Sequence, residues 1–490
     1  MPRCPTASPL GSPWQRPKST IGSLNASAGK RATRPSLGSD MIQDSRSCRV
    51  SRRQLLATAS SSAAALAIGA AVVACTSAGS AGSGATGYDG PTAPPELKQK
   101  LQALADSARV IGCNVAAVNR DRTVFADAWG NARTGKPMTP VSTLNIGSVS
   151  KTVTATAVLQ LVAAGKITLD TDVNDVLANA KLYGPRSIRS PHHPDAPIRV
   201  KHLLTHLTPL TSGAEPGPYG YSYRVGDAAN SAEMGRWLYD FLTPAPRGWT
   251  YDAEANFTRG VPGQAHMYSD IGFDVAGHVV QAVTGKYFDD YCREAILQPA
   301  GMTRSDFNRD KLSEDDRAHP HAWFENGIKK GMWKDYRNLI PHDIPDTYTG
   351  KIEYDSYTTP LTPAGALFSN AVDLARWVRL WLGGGSIDGR EILPKPLAAA
   401  ALTNQVAPEI LAASESPVSM IAQGHAWMRL VGDAKSVWQH AGSDLGTASY
   451  VMLDAERGVG AAVVCNTEIA IDHDPRPAML QLLLDGAAQI

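Results

Sequence analysis

The sequence is poor in the residues that would announce several common chemistries. Of 6 cysteines, only Cys113, Cys292 and Cys465 follow Cys75. They are odd in number and widely spaced, so they imply neither a disulfide framework nor a metal-ligand cluster. Buried, apolar cysteine is the expectation for each. The net charge of +1 offers nothing to nucleic acid. There is no Gly-x-Ser-x-Gly elbow, no His-Glu-x-x-His and no clustered His/Asp spacing of a zinc hydrolase, so those chemistries have no motif here. Nothing calls for a metal or a cofactor. The one apolar run near the start, Leu55 to Val73, is short, rich in Ala and Ser and followed by no basic stop, which argues against a membrane span.

What the chain does have is an ordinary globular composition, 43% hydrophobic and 19% charged over 490 residues. That length holds several domains, or one large domain with an insertion. Residues 1–40 are rich in Ser, Pro, Gly and Arg without periodicity and read as disordered, or as a mis-assigned extension before a start at Met41. Residues 41–75 carry Arg52-Arg53 just ahead of the Leu55–Val73 run, the pattern of a twin-arginine export signal. The run ends "VVAC", similar to a lipoprotein cleavage box, with Cys75 as the lipidated residue. Residues 76–93 are a Gly/Ser/Ala tether. These features predict export to the periplasm or cell envelope, with a membrane anchor at Cys75.

From residue 94 onward the patterns are those of a folded domain. "PPELKQKLQALADSARV" is helical, and "GCNVAAVN" and "TVFADAWG" flank a turn and read as a hairpin. The stretch "NIGSVSK", residues 145–151, sets Ser148 and Lys151 three apart. Spacing alone decides nothing, since "SAGK" at 27–30 shares it in a segment without apolar period. The context differs. "VSKTVTATAVLQLVAAGKI" has no polar face and predicts a helix buried on all sides, with Ser148 at its N-terminus, where the dipole favours a developing alkoxide. Lys151 lies one turn on, and a lysine on such a helix is costly unless used. Residues 176–360 are loop-rich with helical segments, "TPAGALFSNAVDLARWVRLWLGGG" reads as one capped helix, and "SVWQHAGS", "ASYVMLDAE" and "VGAAVVCNTE" as antiparallel strands before a last helix. The expected fold is α+β: an antiparallel sheet from both ends of the chain, flanked by helices, with a mostly helical insertion.

Several ordered segments carry a resemblance. "GSVSK", "HLLTHLTPL" at 202–210, "PGQAHMYSDIGFDVAGHVVQAVTG", "PAGALFSNAVDLARW" and "HAGS" at 440–443 resemble, in order, the motifs of the serine β-lactamase and penicillin-binding-protein-like hydrolases, in particular the class C β-lactamase, DD-peptidase and small-ester esterase branch. The resemblance spans about residues 94–490. It implies Ser148 as nucleophile, Lys151 as its partner, Tyr268 as the base of the second motif and His440 to Gly442 as the third motif, with the backbone N–H groups of Ser148 and Ser443 as the oxyanion hole. It also implies an acyl-enzyme formed with a small acyl substrate or a cell-wall-type peptide. A lysine base needs its pKa lowered from ~10.4 towards neutrality; alternatively Tyr268 accepts the proton, if Lys151 and His440 stabilise its phenolate. "YRN" at 336–338 fits the bare second motif without its flanks, and His202, His206 and "PHHP" at 191–194 read as structural or surface residues.

Two departures bear on substrate. The family's Tyr-x-Asn is Tyr268-Ser269-Asp270; Asn donates to a substrate acyl-amide, whereas ionised Asp cannot, and Asp beside Lys151 holds the lysine charged. His440-Ala441-Gly442 lacks the lysine and threonine that grip a substrate carboxylate. Both point to an ester or related acyl compound. A β-lactamase, a D-amino-acid peptidase or DD-carboxypeptidase, and a catalytically inactive peptidoglycan-binding relative are the alternatives.

Overall fold

The computed structural model describes residues 87–212, 223–225, 231–244, 251–331, 339, 344–414, 419–469 and 473–490. The export signal, Cys75, the tether up to residue 86 and "YRN" at 336–338 lie outside them. Among the described residues no helix is long and apolar enough to cross a membrane.

The first β-branched and small-residue runs pair as a hairpin of β1 (Gly112–Asn119) and β2 (Thr123–Arg133), continued by β3 (Lys136–Pro137). The remaining strands of this sheet come from the far end of the chain: β4 (Met420–Gln423), β5 (Met428–Leu430), β6 (Val437–Asp444), β7 (Thr447–Asp454) and β8 (Val459–Cys465). The spatial order is β4-β5-β6-β7-β8-β1-β2-β3, antiparallel at every pairing. Early and late strands meet at β1–β8, in register from Cys113 opposite Cys465 to Asn119 opposite Val459. The Cys113 and Cys465 sulfurs lie 3.3 Å apart as buried free thiols, and Cys292 is likewise free and buried.

The helices that cover this sheet and position the site are α1 (Pro95–Ser107), α2 (Ser150–Ala163), α3 (Asp270–Thr284), α4 (Thr362–Gly365), α5 (Ala371–Leu382) and α6 (Arg476–Ala488). Alternation along β1 sorts its side chains between two layers. Val115 and Ala117 pack with Leu101 of α1 and Leu483 of α6. Ala116 and Val118 pack with the larger core that holds Val153 and Val158 of α2, Val275 of α3 and Trp377 of α5. α2 is the central helix: its residues are buried from Ser150 to Leu159. Its threonines are satisfied locally or by neighbours. Thr154 Oγ1 donates to Pro363 O at 2.7 Å, and Thr152 Oγ1 donates to Val149 O and accepts from Trp377 Nε1.

Two expectations need correction. The segment from Thr362 to the glycines is not one helix. α4 ends at Gly365, Phe368–Ser369 pairs with Leu144–Asn145, and α5 then starts from Asn370, whose side chain accepts from Asp373 N. The break has a cause: Leu367 O accepts from Ile146 N, and Phe368 exchanges backbone bonds with Asp306, so these groups are bonded outside any helix. Residues 176–360 also hold more than helices. His321–Glu325, Ile328–Lys330 and Gly350–Glu353 form a three-stranded sheet. Its hairpin turns at Asn326-Gly327, both left-handed (φ 50° and 71°), the favoured chemistry of a tight turn.

β5 pairs with β6 at Met428–Gln439, leaving the far end of β6 to pack against the turn that carries Ser148. The approach is backbone to backbone. A Cβ on Gly442 would lie 2.0 Å from Ile146 O, and one on Gly147 2.8 Å from Ser443 N. Gly147 also has φ +51°, which glycine adopts at least cost. Gly442→Ala is therefore expected to cost about 1–3 kcal/mol or more through overpacking, and to slow reaction of Ser148 with an acylating probe. Thermal unfolding and labelling kinetics read the two effects separately.

Candidate active site

Ser148 sits in a 3₁₀ turn, Gly147–Val149, that runs directly into α2. It thus precedes the first helical residue. The turn is pinned on several sides. Gly147 N donates to Asn145 Oδ1 at 2.7 Å, Ser150 Oγ donates to Gly147 O at 2.6 Å, and Ser449 Oγ of β7 donates to Ile146 O at 2.6 Å. Asn145 is itself held, its Nδ2 donating to Asp444 Oδ2 at 3.2 Å. Burial raises the Asp444 carboxyl to about 6, opposed by bonds from Leu445 N and Tyr223.

Lys151 is fully buried, and its ammonium has three partners: Asp270 Oδ1 at 2.5 Å, Ala364 O at 2.7 Å and Ser148 Oγ at 3.0 Å. Burial alone would drive it towards neutrality, but Asp270 and Tyr268 outweigh burial and hold the lysine above its ordinary pKa. The sequence expectation that Asp270 keeps Lys151 charged is thus what the geometry produces. Asp270 opens α3 behind its cap Ser269, whose Oγ accepts from Gly272 N at 2.9 Å. One turn on, the buried Asp274 accepts from Ala364 N at 3.1 Å, so α3 fixes both the carboxylate and, through α4, the carbonyl that hold Lys151.

Tyr268, just ahead of α3, sits beside Ser148 and Lys151, both of which favour its ionised form, and its ring centroid lies 5.0 Å from the Lys151 ammonium. Burial raises its phenol pKa; Lys151 opposes this, Asp270 adds to it, and the net direction is up. His206, read in the sequence as structural or surface, is a buried residue placed beside the site. It stacks on Tyr268 at 4.2 Å between centroids, and its Nδ1 accepts from Ser269 N at 3.0 Å. A left-handed backbone (φ 56°) puts it there. His202 is a buried residue of the helix Val200–Leu204.

His440, on β6, is fully buried; its Nδ1–H donates to Ala441 O at 2.7 Å and its Nε2 has no partner among the described residues. Burial, with Lys151 adding to it, pushes its pKa down to about 3. It is neutral at physiological pH, so of the two groups named for stabilising a Tyr268 phenolate only Lys151 brings a positive charge. Gly442 and Ser443 are brought against the Ser148 turn by the contacts described above. Arg476, unread in the sequence, braces this strand from α6. Its Nη1 donates to Gly442 O at 2.6 Å and Ser449 O at 2.7 Å, while Asp474 balances its charge. No spacing or motif marks that arginine; only the fold brings it to β6.

Ser148, Lys151, Tyr268, Asp270 and His440 therefore come together from three stretches of the chain: the turn and start of α2, the approach to and start of α3, and β6. A family model described as Beta-lactamase matches residues 97–485. Penicillin-binding protein 4 of Amycolatopsis lactamdurans is 26% identical over 378 residues, which cover 76% of this chain and 85% of that protein. Lovastatin esterase of Penicillium rubens is 29% identical over 223 residues, 42% of this chain and 51% of the esterase. Among solved structures, the octameric penicillin-binding protein homologue from Pyrococcus abyssi superposes with a TM-score of 0.58 at 20% identity, over 79% of this chain and 75% of that one; at that identity the likeness is one of fold.

Two measurements check the electrostatics. A histidine whose folded pKa is depressed below its unfolded value contributes stability that is present above pH ~6.5 and lost as pH falls towards the folded pKa. His440→Gln removes one such group, so its melting temperature should drop less than that of the wild type between pH 7 and pH 4. Asp270 raises the pKa of both Lys151 and Tyr268. In Asp270→Asn the alkaline rise of kcat/KM, which reports the free base, should therefore move down by about 1 pH unit or more. A rise that stays in place would mean that Asp270 does not set the base.

Proposed function

The chain belongs to the Beta-lactamase family and is a serine hydrolase; from that premise we propose that it forms an acyl-enzyme on Ser148 and cleaves an ester or a related acyl compound. The observation that carries this reading is the Lys151 ammonium held between Ser148 Oγ and Asp270. Ser148 Oγ attacks the carbonyl carbon as its proton passes to the phenolate form of Tyr268, whose ring lies against the Lys151 ammonium. Lys151 stays charged and stabilises that phenolate until it takes the proton. The N–H groups of Ser148 and Ser443 receive the oxyanion, each such donor being worth ~3 kcal/mol of barrier. The tetrahedral adduct then collapses: the carbonyl–leaving-group bond breaks, Tyr268 returns the proton to the leaving oxygen, and an alcohol departs. Water repeats the sequence on the acyl-serine, releasing the acid and restoring the hydroxyl.

Asp270 and the neutral His440 support an ester over a penicillin or a DD-peptide. The first cannot donate to a side-chain amide, and the second offers a substrate carboxylate no charge. The twin-arginine pattern and the box before Cys75 support export, with a lipid tether at Cys75 holding the domain at the membrane surface.

The deciding experiment follows a chromogenic short-chain ester and a chromogenic cephalosporin in parallel, with Ser148→Ala as control. Ester turnover should dominate and fall ~1,000-fold or more in the variant. Faster cephalosporin turnover would make the protein a β-lactamase. Equal rates for variant and wild type would remove Ser148 as the nucleophile, and absence of any turnover or labelling would favour an inactive binding protein.

A further inference from the structure

We propose that Asp270 selects acyl groups bearing a protonated amine beside the scissile carbonyl, so that amino-acyl substrates are preferred over N-acylated or unsubstituted ones. This rests on the acyl-enzyme reading above and names the substrate class of the same site.

Position comes first. Lys151 Nζ is 3.0 Å from Ser148 Oγ and 2.5 Å from Asp270 Oδ1, so the carboxylate lies no further from the nucleophile than those two steps combined. A substituent on the carbon next to a carbonyl engaged by Ser148 is within reach of it. Access comes second. The Asp270 side chain keeps 29% of its surface exposed, whereas Lys151 keeps 0%. The lysine is sealed beneath, one oxygen of Asp270 is bonded to it, and the carboxylate is the ionic face left to a ligand.

Polarity is the third point. A carboxylate only accepts hydrogen bonds, so what binds there must donate, and an ammonium donates with charge assistance. Neutral His440, with its Nδ1–H bonded to Ala441 O and its buried Nε2 without a partner among the described residues, brings no positive charge. The cations near this site are bonded elsewhere: Lys151 to Asp270, Ala364 and Ser148, and Arg476 to Asp474 and two carbonyls. The other titratable groups that interact with Asp270 or Lys151 are Tyr268, His206, Tyr223 and Asp444. None of them supplies a free positive charge. Beside Asp270 an N-acyl group would place a neutral amide where an ion pair is available, and a carboxylate would meet a like charge.

The test uses 4-nitrophenyl esters of alanine (both enantiomers), N-acetylalanine and propionic acid, with rates corrected for spontaneous hydrolysis of the same esters. At pH 6 the kcat/KM ratio of the better alanyl ester to the propionyl ester should fall at least tenfold in Asp270→Asn. In the wild type that ratio should fall as pH rises past the amine's own pKa, near ~7.7; titration of the enzyme cancels in the ratio. The N-acetyl ester should show neither effect. If Asp270→Asn fails to fold, the wild-type titration decides alone, and a flat ratio from pH 6 to 9 overturns the inference. Ser148-dependent turnover with a ratio indifferent to the substitution also overturns it, while leaving the serine hydrolase intact. Loss of Ser148-dependence for every ester overturns both.

Discussion

A single buried ammonium organises this site. Taking a charge out of water costs several kcal/mol even after relaxation, and Lys151 sits on a helix with no polar face to soften that cost. The structure offsets it with a carboxylate, a carbonyl and the serine hydroxyl. Each partner comes from a different element, so the requirement to pair Lys151 also fixes how the Ser148 turn, α3 and α4 sit against α2. α4 bears the constraint most directly: Asp274 holds its Ala364 N–H, Thr154 holds Pro363 O, and Lys151 takes Ala364 O. Folding the core and assembling the site are the same event.

The second constraint is closeness of backbone. β6 reaches the Ser148 turn only because Gly442 and Gly147 present no Cβ between them. Ser449 and Asn145 then bond the turn from β7 and from its own approach, and Arg476 draws the β6 and β7 carbonyls towards α6. Donors aimed at a developing oxyanion are effective only when they need not move, and this strand end is braced from both faces.

Much of this was legible because it is local. The hairpin of β1 and β2, the apolar α2 and the three C-terminal strands follow from residue type and period, while the order of motifs around Ser148, Tyr268 and His440 is what the family resemblance implies. The export reading lies on residues outside those described. What escaped was tertiary. The Leu367–Phe368 break is set by bonds to Ile146 and Asp306, far away in sequence. His206 reads as one more buried histidine until its ring is seen on Tyr268. Arg476 has no local signature at all. The Asn326-Gly327 turn is a different case: its hairpin chemistry was there to be read, and the loop-rich surroundings obscured it. His440 shows the limit for electrostatics, since its charge depends on burial and on Lys151 rather than on its neighbours in the chain.

The junction of β1 with β8 has a consequence for how the molecule comes into being. Its partners, such as Cys113 and Cys465, are 352 positions apart, and no other strand of this sheet lies between them in space. A nascent chain must therefore carry the edge of β1 unpaired until β8 has been made, 352 positions after Cys113 in the case of Cys465. Pairings of such long sequence separation form slowly, and an open strand edge is prone to associate with other chains in the meantime. The sheet that positions the site is thus closed by the last strand to be synthesised, and the period of greatest exposure to misassembly ends only when β8 docks.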